Sequence, residues 1–189
     1  AAGRAFEGYN ESWNWMSFYG FVQYDWRNLV KASTYLSSDG ASSTGVDVNR
    51  FGFYPGVDLS FVLSNTSVFK DISNLDLLTL NAGYSKTANS RYSSKLSQAY
   101  YSSQIYRQLA GIVVGNIPNT SLNREDVRNW DVSLIASLWK KRLNISASYY
   151  HTTAKDVVQA VPVTPIAGIE NMYVNGATPV SYTHLRAHE

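Results

Sequence analysis

Four tyrosines sit where side chains could grip a polar ligand. Tyr100, Tyr101 and Tyr106 lie among Ser and Gln in one long polar stretch, and Tyr173 lies in another. A phenol ring can stack on a sugar or a peptide while its hydroxyl bonds to polar groups. Solvent-facing loops are also where binding side chains concentrate. The same rings could instead pack the loops against one another. Other residue types suggest less chemistry. His151 has no nearby Cys and no second His with which to hold a metal, and abundant serines do not make a Ser-His-Asp triad. Lys140-Lys141-Arg142 could attract phosphate or form a solvated charged turn. Gly40-Ala-Ser-Ser-Thr-Gly45 lacks the lysine and flanking helix of a phosphate loop. No catalytic residue, metal or cofactor is expected.

Those residues hang on a repeated alternation. Trp130, Val132, Leu134, Ala136 and Leu138 take every second position, with Asp131, Ser133 and Ser137 between them. Beyond Trp139-Lys-Lys-Arg142, Leu143, Ile145, Ala147 and Tyr149 alternate with Asn144, Ser146, Ser148 and Tyr150. A strand sends successive side chains to opposite faces, so each segment has one apolar and one polar face. Residues 17–26, 29–37, 56–64 and 77–85 repeat the pattern. The expectation is an all-β antiparallel meander of about six strands, in three hairpins over about 17–37, 56–85 and 129–152. Short turns fall near residues 27, 70 and 140, the second with a helical turn around 67–70. Longer links, near 38–50, 86–128 and 153–179, leave from the other end. Tyr35, Asp58 and Asn81 fall on the polar faces, where they could meet a plug or a passing solute.

Two architectures share this alternation. A soluble β-sandwich, for example a carbohydrate-binding module, buries the apolar faces in a core. A transmembrane barrel turns them to lipid. Ten residues span about 33 Å, or about 25 Å of height at a tilt near 40°, the thickness of a barrel's apolar band. Loop asymmetry and the placement of Trp26, Trp130, Trp139 and Tyr149 near strand ends favour an incomplete segment of a large barrel wall. Composition agrees: aromatics make up 14% and charged residues only 16% of 189 residues, against about a quarter charged in ordinary soluble domains. A net charge of +2 argues against nucleic acid. With zero Cys there is neither a disulfide nor a thiolate metal site. No apolar run approaches the roughly 20 residues of a membrane helix, so any insertion is by strands.

The two ends carry separate expectations. Ala1 is preceded by neither an initiator Met nor a signal peptide, as in an internal or processed segment. Residues 180–189 resemble a translated sequencing adapter, break the preceding composition and show no period. They are expected to be a non-native tail outside the fold, leaving 1–179 as the barrel segment.

Several blocks in order resemble one family. Lys31-Ala-Ser-Thr-Tyr-Leu-Ser-Ser-Asp-Gly40, then Asn49-Arg-Phe-Gly-Phe-Tyr-Pro-Gly-Val-Asp58, is similar to the barrel of SusC/RagA-type TonB-linked outer-membrane proteins. There a strand ends in an Arg-x-Asp-Gly-Ser-like loop and the next opens on Arg-x-Gly-x-Phe-Pro-Ser. Leu77-Leu-Thr-Leu-Asn-Ala-Gly-Tyr-Ser85 resembles a later strand. Ile117 to Glu125, Trp139 to Leu143 and Tyr149 to Asp156 follow the late-barrel order. Tyr54 stands inside the Phe-Pro step, and Arg124-Glu125 stands where the family has Trp-Glu. The resemblance implies a barrel of about 22 strands, of which this chain supplies roughly a quarter. It further implies a plug, a TonB contact outside this chain, and a SusD-like lipoprotein lid. It places the protein in the outer membrane of a Bacteroidetes-like Gram-negative bacterium, importing oligosaccharides or peptides without catalysis. A passive porin or adhesin barrel is the remaining membrane alternative.

Overall fold

The structure, a computed structural model, describes residues 12–90, 92–107, 109–164, 168–176 and 180–188, with the backbone alone for Tyr106 and Val180–His188. In chain order the strands are β1 (Trp15–Trp26), β2 (Val30–Ala41), β3 (Phe51–Val62), β4 (Leu75–Asn89), β5 (Tyr101–Tyr106), β6 (Leu109–Val114), β7 (Glu125–Leu138), β8 (Leu143–Lys155), β9 (Val158–Pro162), β10 (Asn171–Asn175) and β11 (Val180–His188). Among the described residues, one antiparallel sheet runs β1-β2-β3-β4-β7-β8-β11. The hairpins β5–β6 and β9–β10 are separate and rise from the two longest links. The six expected strands are present, each beside its neighbour in sequence.

Register separates the two faces cleanly, because directly paired residues project to the same side. One row crosses the sheet as Asp25, Lys31, Ser60, Asn81, Ser133 and Ser148, and the next as Gln23, Ser33, Asp58, Gly83, Asp131 and Tyr150. The opposite face carries Tyr24, Ala32, Leu59, Ala82, Val132 and Tyr149, then Trp26, Val30, Phe61, Leu80, Leu134 and Ala147.

No second sheet covers either face among the described residues. Val22 is 62% exposed, Trp130 41% and Leu134 42%, although all lie on the apolar face. Leu122, at the base of a long link, is fully buried, and the few other buried side chains are mostly polar or small. A sandwich would bury those aliphatic rows between layers about 10 Å apart. This sheet is a single wall, and the sandwich expectation fails.

Aromatic residues bracket the apolar face. At the long-link end, Trp130 packs against Tyr149 and His151, with ring centroids 5.2 and 5.4 Å away. His151 thus belongs to this aromatic cluster. At the short-turn end stand Trp26 and Trp139. Trp130 and Trp139 are nine residues apart, about 30 Å along a strand and about 23 Å in height at 40°. That spacing matches the apolar band of a barrel.

Turn chemistry explains the short end. Arg27 and Asn28 adopt φ of 54° and 53°, and Leu29 N–H donates to Trp26 O at 2.9 Å. Two consecutive left-handed residues match the right-handed twist of the flanking strands. Trp139, Lys140 and Lys141 repeat the device at φ 54°, 59° and 62°. The third connection holds a 3-10 turn at Leu63–Asn65, then a helical turn in which Lys70 N–H donates to Thr66 O at 3.0 Å. A register shift between Leu75 and Leu77 throws Asp76 out of the ladder. Its carboxylate accepts from Lys141 N–H at 2.9 Å.

The structure corrects several boundaries. β3 begins at Phe51 rather than Gly56, β4 runs to Asn89 rather than Ser85, and β7 begins at Glu125 rather than Asn129. Residues 180–189 were expected outside the fold, yet Val180–His188 pairs with β8 in the register Val180↔Ala154 to His188↔Ser146. The outer edge of β8 presents unpaired N–H and C=O groups, and such an edge accepts an extended segment whatever its side-chain pattern.

Candidate functional site

The polar face carries two shallow clefts, one above the other. The lower, about 570 Å³, lies over the middle strands and is lined by Gln23, Asp25, Lys31, Ser33, Asp58, Ser60, Asn81 and Asp131. Gly83 makes it possible. A Cβ there would fall 2.6 Å from Asp131 Oδ1 and 3.0 Å from Asp58 Oδ1, so both carboxylates reach over the bare glycine. Asn81 Nδ2 donates to Ser133 Oγ at 3.2 Å, and Lys31 pairs with Asp25 at 3.7 Å. Tyr35 lies one row higher, its ring laid over Gly56, whose added Cβ would fall 2.0 Å from Tyr35 Cζ. Register thus brings Tyr35, Asp58 and Asn81 onto one face.

The upper cleft, about 560 Å³, sits under the long links and is lined by Trp13, Trp15, Asp39, Ser43, Tyr54, Asn89, Tyr92, Ser93 and Arg124. Arg124 is its structural centre. Only 8% exposed, its guanidinium donates to Asn49 O at 2.9 Å, to Asp39 O at 3.2 Å and to Arg50 O. One side chain thereby binds the end of β2 and the β2–β3 loop to the start of β7. Tyr54 is buried beside it, and Gly52 leaves room for the phenol. Tyr92 contributes the one polar atom in the cleft's wall that stays buried without a hydrogen-bond partner among the described residues, its Oη. Burial pushes the Tyr92 phenol up to about 12; the Arg124 cation opposes the shift, while Glu125 and Tyr54 add to it.

The remaining tyrosines are scattered. Tyr100 precedes β5 and packs its ring over Gly115, with Lys95 Nζ 5.2 Å from the ring centroid. Tyr101, 67% exposed, opens β5. Tyr106 closes β5, and its side chain lies outside the described residues. Tyr173 is on β10, where its carbonyl accepts from Asn119 Nδ2 at 2.9 Å. The β9–β10 hairpin is tied at its base to the ends of β4 and β7. Asn175 exchanges two hydrogen bonds with the Asn123 backbone, and Glu125 accepts from both Asn89 Nδ2 and Val158 N–H. Sequence reasoning passed over Trp13, Trp15, Tyr92 and the Arg124–Tyr54 pair. The available signal was the two places where the chain departs from the SusC/RagA pattern, Tyr54 and Arg124-Glu125. No His/Cys/Asp/Glu group suited to a metal occurs among the described residues.

A single antiparallel wall with an uncovered apolar face, aromatic girdles and a grooved polar face is the geometry of a barrel segment. Residues 2–183 match the family described as TonB dependent receptor-like, beta-barrel. The chain belongs to this family. TonB-dependent receptor P39 of Formosa agariphila is 29% identical over 161 residues, covering 84% of this chain and 15% of that protein. TonB-dependent receptor P3 of the same organism is 24% identical over 165 residues, covering 85% and 16%. The chain thus spans about a sixth of the length of the curated relatives it matches. Among solved structures, the RagAB peptide importer in a 'closed-closed' state superposes with a TM-score of 0.83 at 22% identity, over 92% of this chain and 19% of that one. The siderophore receptor PirA of Pseudomonas aeruginosa superposes with a TM-score of 0.63 at 13% identity, over 93% and 30%. At such identities the likeness is one of fold. Family membership makes this chain a piece of a TonB-dependent receptor barrel.

Proposed function

We propose that this chain forms wall and outer loops of a SusC/RagA-type, TonB-dependent active transporter in the outer membrane of a Gram-negative bacterium. Its cargo is an oligosaccharide or a peptide, taken in without catalysis. The observation that carries the reading is the pairing of opposite faces on one sheet, an apolar band between aromatic girdles and a polar wall with two stacked clefts. Such a wall suits a solute passing from the upper cleft, rich in Trp and Tyr, to the lower, rich in carboxylates and amides. The exposed Trp13 and Trp15 rings offer apolar surface for stacking. A plug, a SusD-like lid and a TonB contact outside this chain complete the machine, consistent with the SusC/RagA-like blocks. Residues 180–189 are assigned to a non-native tail that borrows the β8 edge, as their adapter-like sequence suggests.

The test uses the full-length receptor that carries this segment. Cells complemented with it should take up labelled oligosaccharides or peptides, and dissipating the inner-membrane proton gradient should abolish uptake. Trp13→Ala with Trp15→Ala should reduce capture at least about tenfold, equivalent to about 1.4 kcal/mol. Uptake that survives loss of the gradient would identify a passive pore instead.

A further inference from the structure

We propose that the short-turn end of this wall is a cationic rim that holds anionic phospholipid headgroups. The proposal rests on the reading that the sheet stands in a membrane. The turns over residues 27–29, 63–74 and 139–142 contain Arg27, Lys70, Lys140, Lys141 and Arg142, against one carboxylate, Asp71. All five cations are exposed, and none of the five is in an ion pair among the described residues. The links between strands of the main sheet, residues 42–50, 90–124 and 156–179, are more than three times the length of these turns and hold the same number of cations, five.

The three turns form one continuous edge. Asn65 Nδ2 donates to Asn28 O at 2.9 Å, which ties the first turn to the second. Trp139 N–H donates to Asn74 O at 3.0 Å and Lys141 N–H to Asp76 Oδ2 at 2.9 Å, which tie the third to the second. The ties use backbone groups, the Asn65 amide and the Asp76 carboxylate, and they engage none of the five cationic side chains among the described residues. Depth is set by the girdle. Trp26 lies on the apolar face, and the Arg27 guanidinium sits 5.5 Å above its ring. An interfacial tryptophan marks headgroup level, so Arg27 is held beside the lipid phosphates rather than over the lumen. Basic clusters at that depth attract anionic lipid, each cation contributing about fivefold in binding near the surface. A solvated charged turn, the simpler reading of Lys140-Lys141-Arg142, accounts neither for the ties nor for the stacked Arg27.

The full-length receptor, reconstituted in nanodiscs of equal phosphatidylglycerol and phosphatidylethanolamine and then exchanged into mild detergent, tests this by native mass spectrometry of retained lipid. Phosphatidylglycerol should be retained at least about fivefold over phosphatidylethanolamine. The triple variant Lys140→Gln, Lys141→Gln, Arg142→Gln should bring the ratio below about twofold, and Lys95→Gln with Arg107→Gln on the long links should leave it unchanged. If the triple variant loses the heat-dependent gel mobility of a folded barrel, Arg27→Gln with Lys70→Gln takes its place. Equal retention of the two lipids, or a ratio indifferent to these substitutions, overturns the proposal. Displacement by inorganic phosphate at matched ionic strength overturns it too, because the rim would then bind phosphate without the lipid. A receptor that never enters the bilayer refutes the barrel reading, a failure distinct from that of the rim.

Discussion

Arg124 carries an unusual share of the order at the loop end. Three backbone carbonyls from two segments converge on one buried guanidinium, and a planar fork of five donors is the group that can serve them together. A lysine offers a compact ammonium on a flexible stem and cannot span the same set. Arg124→Lys in the full-length receptor should lower the local opening free energy of residues 42–50 by about 2–4 kcal/mol, since each buried carbonyl left unserved costs about 1–3 kcal/mol. Amide hydrogen exchange of that loop reads the change, and unaltered protection would remove Arg124 from its role. Tyr92 beside it makes a different prediction. Burial raises its phenol from 10.0 to about 12, so the folded state favours the neutral form. The stability this gives is present in full below pH 10 and is lost as pH rises through about 12. Tyr92→Phe should therefore leave neutral-pH stability within about 1 kcal/mol, because the buried hydroxyl has no partner to lose among the described residues. It should also remove one phenol from the alkaline limb near pH 12 in difference absorbance at 295 nm. A lost phenol that titrates near pH 10 would contradict the placement.

At the scale of elements, strands were legible where two faces differ. Trp130 to Leu138 and Leu143 to Tyr149 alternate because one face of the sheet is apolar and the other polar, and register follows from that difference. The Tyr35–Gly56 pair shows how closely neighbouring strands are fitted. Gly56→Val would drive a side chain into the Tyr35 ring, and overpacking of this kind costs about 1–3 kcal/mol. The full-length receptor in lipid should unfold at correspondingly lower denaturant, with stability restored in Gly56→Val combined with Tyr35→Ala. Failure of the second change to rescue would show that the ring is not what the valine meets. Where faces do not differ, the sequence was silent. Tyr101–Tyr106 is largely polar and Leu109–Val114 largely apolar, so neither half of the β5–β6 hairpin shows period two. Phe51 to Pro55 lie between the expected loop at 38–50 and the expected strand from Gly56, and they extend β3. Those residues pair with β2 alone, and a proline's missing N–H is tolerated along such a half-edge. The upper cleft was equally hidden. Arg124, Tyr54 and Tyr92 are brought together by long-range pairing of β3, β4 and β7, which no local pattern encodes.

The whole molecule is a wall without the ring it belongs to. Its outer face leaves Val22, Val57, Val132, Leu134 and Ile145 substantially exposed together with the girdle aromatics. Burying each such side chain is worth about 1.5–3 kcal/mol, and the net stability of a domain is about 5–15 kcal/mol. A handful of them left in water therefore forgoes stabilisation about as large as the whole net stability of a domain. The edges add a second instability. Among the described residues β1 presents an unpaired side where a barrel would continue, and β11 occupies the other end; long open edges with an apolar face recruit further strands. Lipid removes the first penalty and ring closure the second, and the isolated chain has neither. Expressed alone without detergent, the 189-residue chain should emerge from size-exclusion chromatography in the void volume or from inclusion bodies. Detergent should disperse it without restoring a closed barrel. A monodisperse, detergent-free monomer would mean that the aliphatic rows find cover within the chain itself, and the assignment of this face to lipid would fall with that result.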